Sequence, residues 1–265
     1  LYIDAPGPQS FMLIDMHHII TDGTSQDILE KEFQALLAGN PLPPADIHYK
    51  DYSVWLDRPE QIQYTAAQET FWMEKLSGQL PVLNLPTDFP RPVVQGYDGG
   101  RVNFFLDNEE VLALRELNRT SESTMYMSLL AVFTVLLSKL SGQDDIIVGT
   151  PVAARRHPDL QNVIGMFVNT LVMRNFPAPP MTVSQFLRQV KANSLEAFEN
   201  QEYQFDQLVE RLSLRRDTGR NPVFDAVFNL LNQAEYQWEI PVGTEPGTYI
   251  HKKSTAKFDI NLTAV

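Results

Sequence analysis

The sequence predicts a mixed α/β fold in the broad, α+β sense. Short apolar runs punctuated by Gly and Pro, such as Asp-Ile-Ile-Val-Gly-Thr-Pro-Val at 145–152, read as buried strands. Longer stretches with apolar residues on one face, 24–38 foremost, read as helices. The two kinds of segment interleave along all 265 residues without an internal repeat. A parallel nucleotide-binding sheet is not supported, because no GxGxxG follows a strand and no GxxxxGK[ST] occurs.

The first 23 residues read as a strand and a turn. Phe11-Met12-Leu13-Ile14-Asp15-Met16 leads into His17-His18, and Asp22-Gly23 closes the turn. On a regular strand Met12, Ile14, Met16 and His18 share one face, and Leu13, Asp15 and His17 the other. Thr24 or Ser25 then caps a helix to about residue 38, with Ile28, Leu29, Phe33, Leu36 and Leu37 on one face. Gly39-Asn40-Pro41 ends it. A second helix is expected over 64–76, where Phe71, Trp72 and Leu76 form an apolar edge. Pro81, Pro86, Pro90, Pro92, Gly96, Gly99 and Gly100 mark 81–100 as a connector. Beyond it, 101–106 alternates like a strand. Helices are expected at 108–120, 124–140, 183–199 and 205–213, and strands at 145–152, 166–174, 223–231 and 257–265.

Hydrophobic residues make up 43% of the chain, enough for one large domain or two modest lobes. The most apolar stretch, 125–140, contains Ser128, Thr134, Ser138 and Lys139. It is too short and too polar for a membrane span and reads as a buried helix. Neither a signal peptide nor a membrane partner is expected. The absence of cysteine excludes disulfides, thiolate metal sites and a cysteine nucleophile, and suits the cytoplasm expected here. A net charge of −12 with no basic stripe argues against nucleic acid. Arg155-Arg156-His157, Arg215-Arg216 and Lys252-Lys253 are too short to be more than local anchors. No ligand spacing suggests a metal site.

The segment His17-His18-Ile19-Ile20-Thr21-Asp22-Gly23 resembles the HHxxxDG pattern of the condensation domains of nonribosomal peptide synthetases, and the looser HxxxDG of chloramphenicol acetyltransferase-like acyltransferases. Further segments agree in order. Tyr49-Lys50-Asp51-Tyr52-Ser53-Val54-Trp55 resembles YxDFAVW, and Ile164-Gly165-Met166-Phe167-Val168-Asn169-Thr170-Leu171 resembles IGxFVNT, with Arg174 closing it. Asn200-Gln201-Glu202-Tyr203-Gln204-Phe205-Asp206 is similar to HQDYPFE, and Arg216-Asp217-Thr218-Gly219-Arg220-Asn221-Pro222 to RDxSRNP. Ala154 stands where the family frequently has glycine, a replacement expected to be harmless. The family's two earliest motifs, SxAQxRLW and RHExLRT, are absent. The chain is therefore expected to be an internal piece of a two-lobed chloramphenicol acetyltransferase-like sandwich with its first lobe incomplete. Residues 1–80 would close the first lobe and carry HHxxxDG, 81–100 would link the lobes, and 101–265 would form a second lobe truncated at its end.

The resemblance implies a tunnel in which the amine of a downstream carrier-bound aminoacyl thioester attacks an upstream carrier-bound acyl or peptidyl thioester. Upstream and downstream peptidyl carrier proteins and an adjacent adenylation domain are the implied partners. The substrates ride on the carriers' phosphopantetheine, and no cofactor is bound directly. His18 is the expected catalytic residue, as a general base or as a group that positions the amine and the tetrahedral intermediate. His17 is expected to support it. Asp22 is expected to organise the turn as a buried carboxylate paired, by the resemblance, with Arg155, and Gly23 to keep the tunnel open. Asn169 is the expected tunnel-lining residue. Tyr49, Asp51, Trp55, Arg216, Asp217 and Asn221 are expected to be structural. An epimerization domain shares HHxxxDG but does not need the IGxFVNT wording, and a non-catalytic, partner-recruiting domain is the other alternative. Heterocyclization domains carry DxxxxD instead, and plant-type acyl-CoA transferases carry DFGWG, which is absent.

Overall fold

A computed structural model describes residues 2–4, 10–12, 14–214, 217–231 and 249–265. Leu13 of the expected first strand, and Arg215 and Arg216, lie outside the described residues. The chain divides into two compact units, 1–63 with 153–168, and 64–152 with 169–265. This division differs from the boundaries expected at 80 and 100.

The first unit holds an antiparallel pair, β1 (Tyr2–Asp4) and β2 (Ser10–Met12), followed by a 3₁₀ turn at His18–Ile20. Helices α1 (Gly23–Leu37) and α2 (Tyr49–Leu56) come next, and a second 3₁₀ turn covers Pro158–Leu160. The strand expected to run through Met16 ends at Met12, and 14–17 has no regular structure. Alternation therefore does not govern the two histidines. His18–Ile20 form the turn, while Thr21 and Asp22 are extended again, as the residue that caps a helix requires. A small cluster of Leu160, Val163 and Phe167, joined by Ile47 and Tyr52, is the core of this unit.

The second unit is built on a four-stranded sheet in the order β5-β4-β6-β8. β4 (Ile146–Val152) and β5 (Asn169–Asn175) are antiparallel, with Ile146 opposite Asn175 and Val152 opposite Asn169. β6 (Ala226–Leu230) runs parallel to β4 and to β8 (Ile260–Ala264). A separate antiparallel ribbon joins β3 (Asp98–Asn103) to β7 (Tyr249–Thr255). The sheet is mixed, in keeping with the α+β expectation.

Helix α3 (Pro59–Lys75) begins in the first unit and continues into the second, where α4 (Asn108–Ser121), α5 (Met125–Ser141), α6 (Val183–Glu199) and α7 (Phe205–Leu212) follow. Leu130, Phe133 and Leu137 of α5 join Ile146 and Val148 of β4, Leu171 and Met173 of β5, and Phe228 of β6 in one core. Trp72 and Leu76 belong to the same core. Burying side chains of this size stabilises by about 1.5–3 kcal/mol each. No single helix among the described residues is long and apolar enough to cross a membrane.

Part of the 81–100 segment is held by hydrogen bonds within the second unit. Gln95 N–H donates to Thr218 O, and the Thr218 hydroxyl donates to Val93 O. Arg91 pairs with Asp259 and also donates to Gly219 O. Asp217 accepts from Gly219 N–H at 2.8 Å, and the Asn221 amide donates to Lys257 O at 2.7 Å. The RDxSRNP-like loop thus holds down 91–95 and the approach to β8.

Candidate active site

The 3₁₀ turn presents both histidines at the surface. His17 Nδ1 accepts the Ile19 N–H at 3.1 Å, which closes the turn from its N-terminal side. That bond leaves the proton of a neutral His17 ring on Nε2. His17 O accepts from Ile20 N–H, and His18 O from Thr21 N–H. Neither bond uses the His18 imidazole, which is exposed.

Four residues on, the environment inverts. The Asp22 side chain is fully buried. Its Oδ1 accepts from the Ser25 N–H at 2.8 Å and the Ser25 hydroxyl at 2.7 Å. Its Oδ2 accepts the Phe167 N–H at 3.0 Å. Arg155 Nη2 donates to both oxygens, at 2.9 and 3.1 Å. Burial pushes the Asp22 carboxyl up. The Ser25 hydroxyl, the Phe167 and Ser25 amides and Arg155 outweigh that penalty and hold it below the usual carboxylate range. Asp22, not Thr24 or Ser25, caps α1, because an aspartate before the first turn accepts from the amide three residues on.

Arg155 is buried by its own partners. Nη1 donates to Leu160 O at 2.7 Å and to Val163 O, and Nη2 also reaches the Ser25 hydroxyl at 2.9 Å. The guanidinium lies 4.1 Å from the Phe167 ring centre, a cation–π contact. Ala154, directly before it, has φ +50°. That left-handed conformation costs a residue with a Cβ about 1–2 kcal/mol. The replacement of glycine expected to be harmless therefore carries a conformational cost.

Ser25 links the pieces. Its hydroxyl oxygen accepts the Gly165 N–H at 3.0 Å, and its single proton is shared between Asp22 Oδ1 and Gly165 O, 2.9 Å away. A Cβ at Gly165 would sit 2.1 Å from the Tyr49 ring, so this glycine permits a close approach. Tyr49 donates its hydroxyl to Met166 O at 2.8 Å. Tyr52 stacks on Trp55 with ring centres 5.8 Å apart and meets Phe167 at 4.8 Å. The Asp51 carboxylate accepts the His48 N–H at 2.9 Å and fixes the start of α2.

The segments resembling HHxxxDG, YxDFAVW and IGxFVNT thus meet at the Asp22 turn through Tyr49, Ser25, Gly165 and Phe167, together with Arg155. From sequence Ser25 is expected only as a helix cap and Gly165 only as part of the IGxFVNT-like segment, neither as a partner of Asp22. Reading Asp22-Gly23-Thr24-Ser25 as a cap with a polar residue at its third helical position would have marked the serine. Gly23 is exposed, and an added Cβ there meets nothing within 4 Å. Asn169 belongs to the second unit and is buried. Its amide donates to Gln201 O and Tyr203 O, and its carbonyl accepts from Thr170 and Phe205 N–H. These backbone partners pin the start of α7 and occupy both of its donors. Among the described residues no group of three His, Asp or Glu side chains could hold a metal ion.

A Condensation domain profile matches residues 7–265. The chain belongs to the condensation-domain family. It is 45% identical over 255 residues to gramicidin S synthase 2 of Brevibacillus brevis, covering 96% of this chain and 6% of that protein. It is 46% identical over 259 residues to bacitracin synthase 3 of Bacillus licheniformis, covering 97% of this chain and 4% of that one. The chain thus spans a small fraction of the length of these relatives. A crystal structure of a four-domain nonribosomal peptide synthetase bound to AMP and glycine matches with a TM-score of 0.71 and 27% identity, covering 82% of this chain and 16% of the other. The fold is the chloramphenicol acetyltransferase-like α/β fold of condensation domains, in agreement with the expectation from sequence.

Proposed function

We propose that this condensation domain forms an amide between two carrier-bound thioesters, with His18 at the reacting centre. The observation that carries the reading is an exposed imidazole on a short turn, four residues from a buried Asp22–Arg155–Ser25 cluster that fixes the helix start. In the proposed reaction the amine nitrogen of a downstream aminoacyl thioester attacks the carbonyl carbon of an upstream acyl or peptidyl thioester. A C–N bond forms, the C–S bond breaks, and the released thiol takes up the proton lost by nitrogen. His18 accepts that proton in passage or holds the attacking amine by a hydrogen bond. General-base help of this kind is worth about 10²–10⁴-fold. Holding two flexible arms end to end supplies up to about 7–11 kcal/mol, so positioning carries the larger part.

His17, Asp22 and Arg155 shape the turn in this reading, and the bare Gly23 leaves space beside His18 for a substrate arm. The partners are two carrier proteins bearing phosphopantetheine and an adjoining adenylation domain. The IGxFVNT-like wording at 164–171 favours amide formation over epimerization. The test is a single-turnover assay with two loaded carriers and the full-length protein, with and without His18→Ala. Dipeptidyl product from the parent and none from an equally stable variant is expected. Donor inversion without a new amide would mean epimerization, and carrier binding with neither product would mean a recruiting domain.

A further inference from the structure

We propose that Tyr49 is a positioning residue for the turn that carries His18, acting through residues 165–167. This rests on the reading of His18 as the reacting centre. Three consecutive residues form one wall around the Asp22 carboxylate, each in a different way. Gly165 gives its N–H to the Ser25 oxygen, and the single Ser25 hydroxyl proton lies between Asp22 Oδ1 and Gly165 O, the shorter distance being to Asp22. Phe167 gives its N–H to Asp22 Oδ2 and its ring to the Arg155 guanidinium. Met166, between them, offers only its carbonyl, and Tyr49 takes it.

Tyr49 therefore grips the middle of the wall from a different element, the first residue of α2. Its ring lies flush on Gly165 and edge-on to Phe167, with ring centres 5.0 Å apart. The contact leaves no room for a side chain at 165, so the wall cannot shift toward α2. The hydroxyl bond keeps it from shifting away. A displacement of 165–167 would carry the Phe167 N–H off Asp22 Oδ2 and the Gly165 groups off Ser25. The cap of α1 would loosen, and with it the turn that ends at Thr21. Burial and the nearby Asp22 charge push the Tyr49 phenol up, so the donor stays protonated at neutral pH. Small displacements of a reacting group far from the altered residue cost up to about 100-fold in rate.

Tyr49→Phe in the full-length protein removes the hydroxyl and keeps the ring on Gly165. The expected result is a kcat lowered about ten- to hundred-fold with KM for both loaded carriers unchanged. Amide hydrogen exchange should quicken about ten-fold at Phe167 and Ser25 and stay constant along α6, with an unchanged melting temperature. Unchanged exchange at Phe167 and Ser25, or an unchanged kcat, would overturn the proposal. A variant that melts lower and exchanges faster throughout would also overturn it, since that is a role in stability alone. His18→Ala is measured beside it. If the parent itself makes no amide product, the reading of the function fails, and the exchange rates still decide whether Tyr49 holds the turn.

Discussion

The Asp22 carboxylate accepts from the Ser25 amide and hydroxyl, the Phe167 amide and Arg155, all out of contact with water. Two full charges in such a place are tolerated only because each is closely matched. Arg155 gives Nη1 to the carbonyls of Leu160 and Val163 and Nη2 to Asp22, while its Nε has no partner. The guanidinium's remaining partners are neutral carbonyls and a hydroxyl, none of which replaces a lost anion. Asp22→Ala should therefore cost about 3–5 kcal/mol, because it strands a buried cation and removes the α1 cap together. Chemical denaturation of parent and variant measures this directly. A variant as stable as the parent but inactive would make Asp22 a direct participant in the reaction instead of an organiser of the turn.

At the scale of elements, capped helices were legible. Asp107 and Glu110 form a reciprocal box before α4, Thr182 and Gln185 do so before α6, and Thr124 caps α5. Their expected ranges agree with the observed ones to within a residue. The strand at 146–152 announced itself as an apolar run ending in Pro151, and its partner at 169–175 begins later than expected because 164–168 belongs to the Asp22 wall. Among the α-helices and strands, β1, α2 and β7 were not foreseen. Helix α2 is eight residues long and packs Tyr49 and Tyr52 against Phe167, too short an element for a periodic stripe to mark it. Strand β7 reads Tyr-Ile-His-Lys-Lys-Ser-Thr, too polar to stand out. Close approaches of glycine were equally silent, since they depend on what arrives from far along the chain. In β4, a Cβ at Gly149 would sit 2.3 Å from the Phe224 ring. That ring is aimed by a γ-turn in which Phe224 N–H donates to Pro222 O across Val223 at φ +70°. Phe224 also packs on Phe205 and Phe258, so it has little freedom to retreat. Gly149→Ala should cost about 1–3 kcal/mol by overpacking, read as a lower denaturation midpoint with an unchanged slope. An unshifted midpoint would mean that the ring swings aside freely.

On the scale of the whole molecule, the two compact units carry buried aspartates that respond to acid in opposite senses. In the first unit the folded-state pKa of Asp22 is depressed. Its contribution to stability is complete above the unfolded value, about pH 4, and is lost as pH falls through the lower folded value. In the second unit burial raises the Asp225 carboxyl despite its pairing with Arg220, and Asp259 raises it further. A raised carboxylate contributes stability below the unfolded value and loses it as pH rises through the folded one. Acidification should therefore loosen the Asp22 turn while relieving the neighbourhood of Asp225. The chain's net charge of −12 falls in magnitude over the same range, which lowers general self-repulsion and does not single out either unit. Amide exchange, corrected for its intrinsic pH dependence, distinguishes them. Ser25 and Phe167 should lose protection as pH falls below about 4, ahead of the β6 amides that follow Asp225. Loss at β6 first would place the acid-sensitive group in the second unit. Loss of both at one pH would mean that Asp22 does not set the acid limit of the first unit.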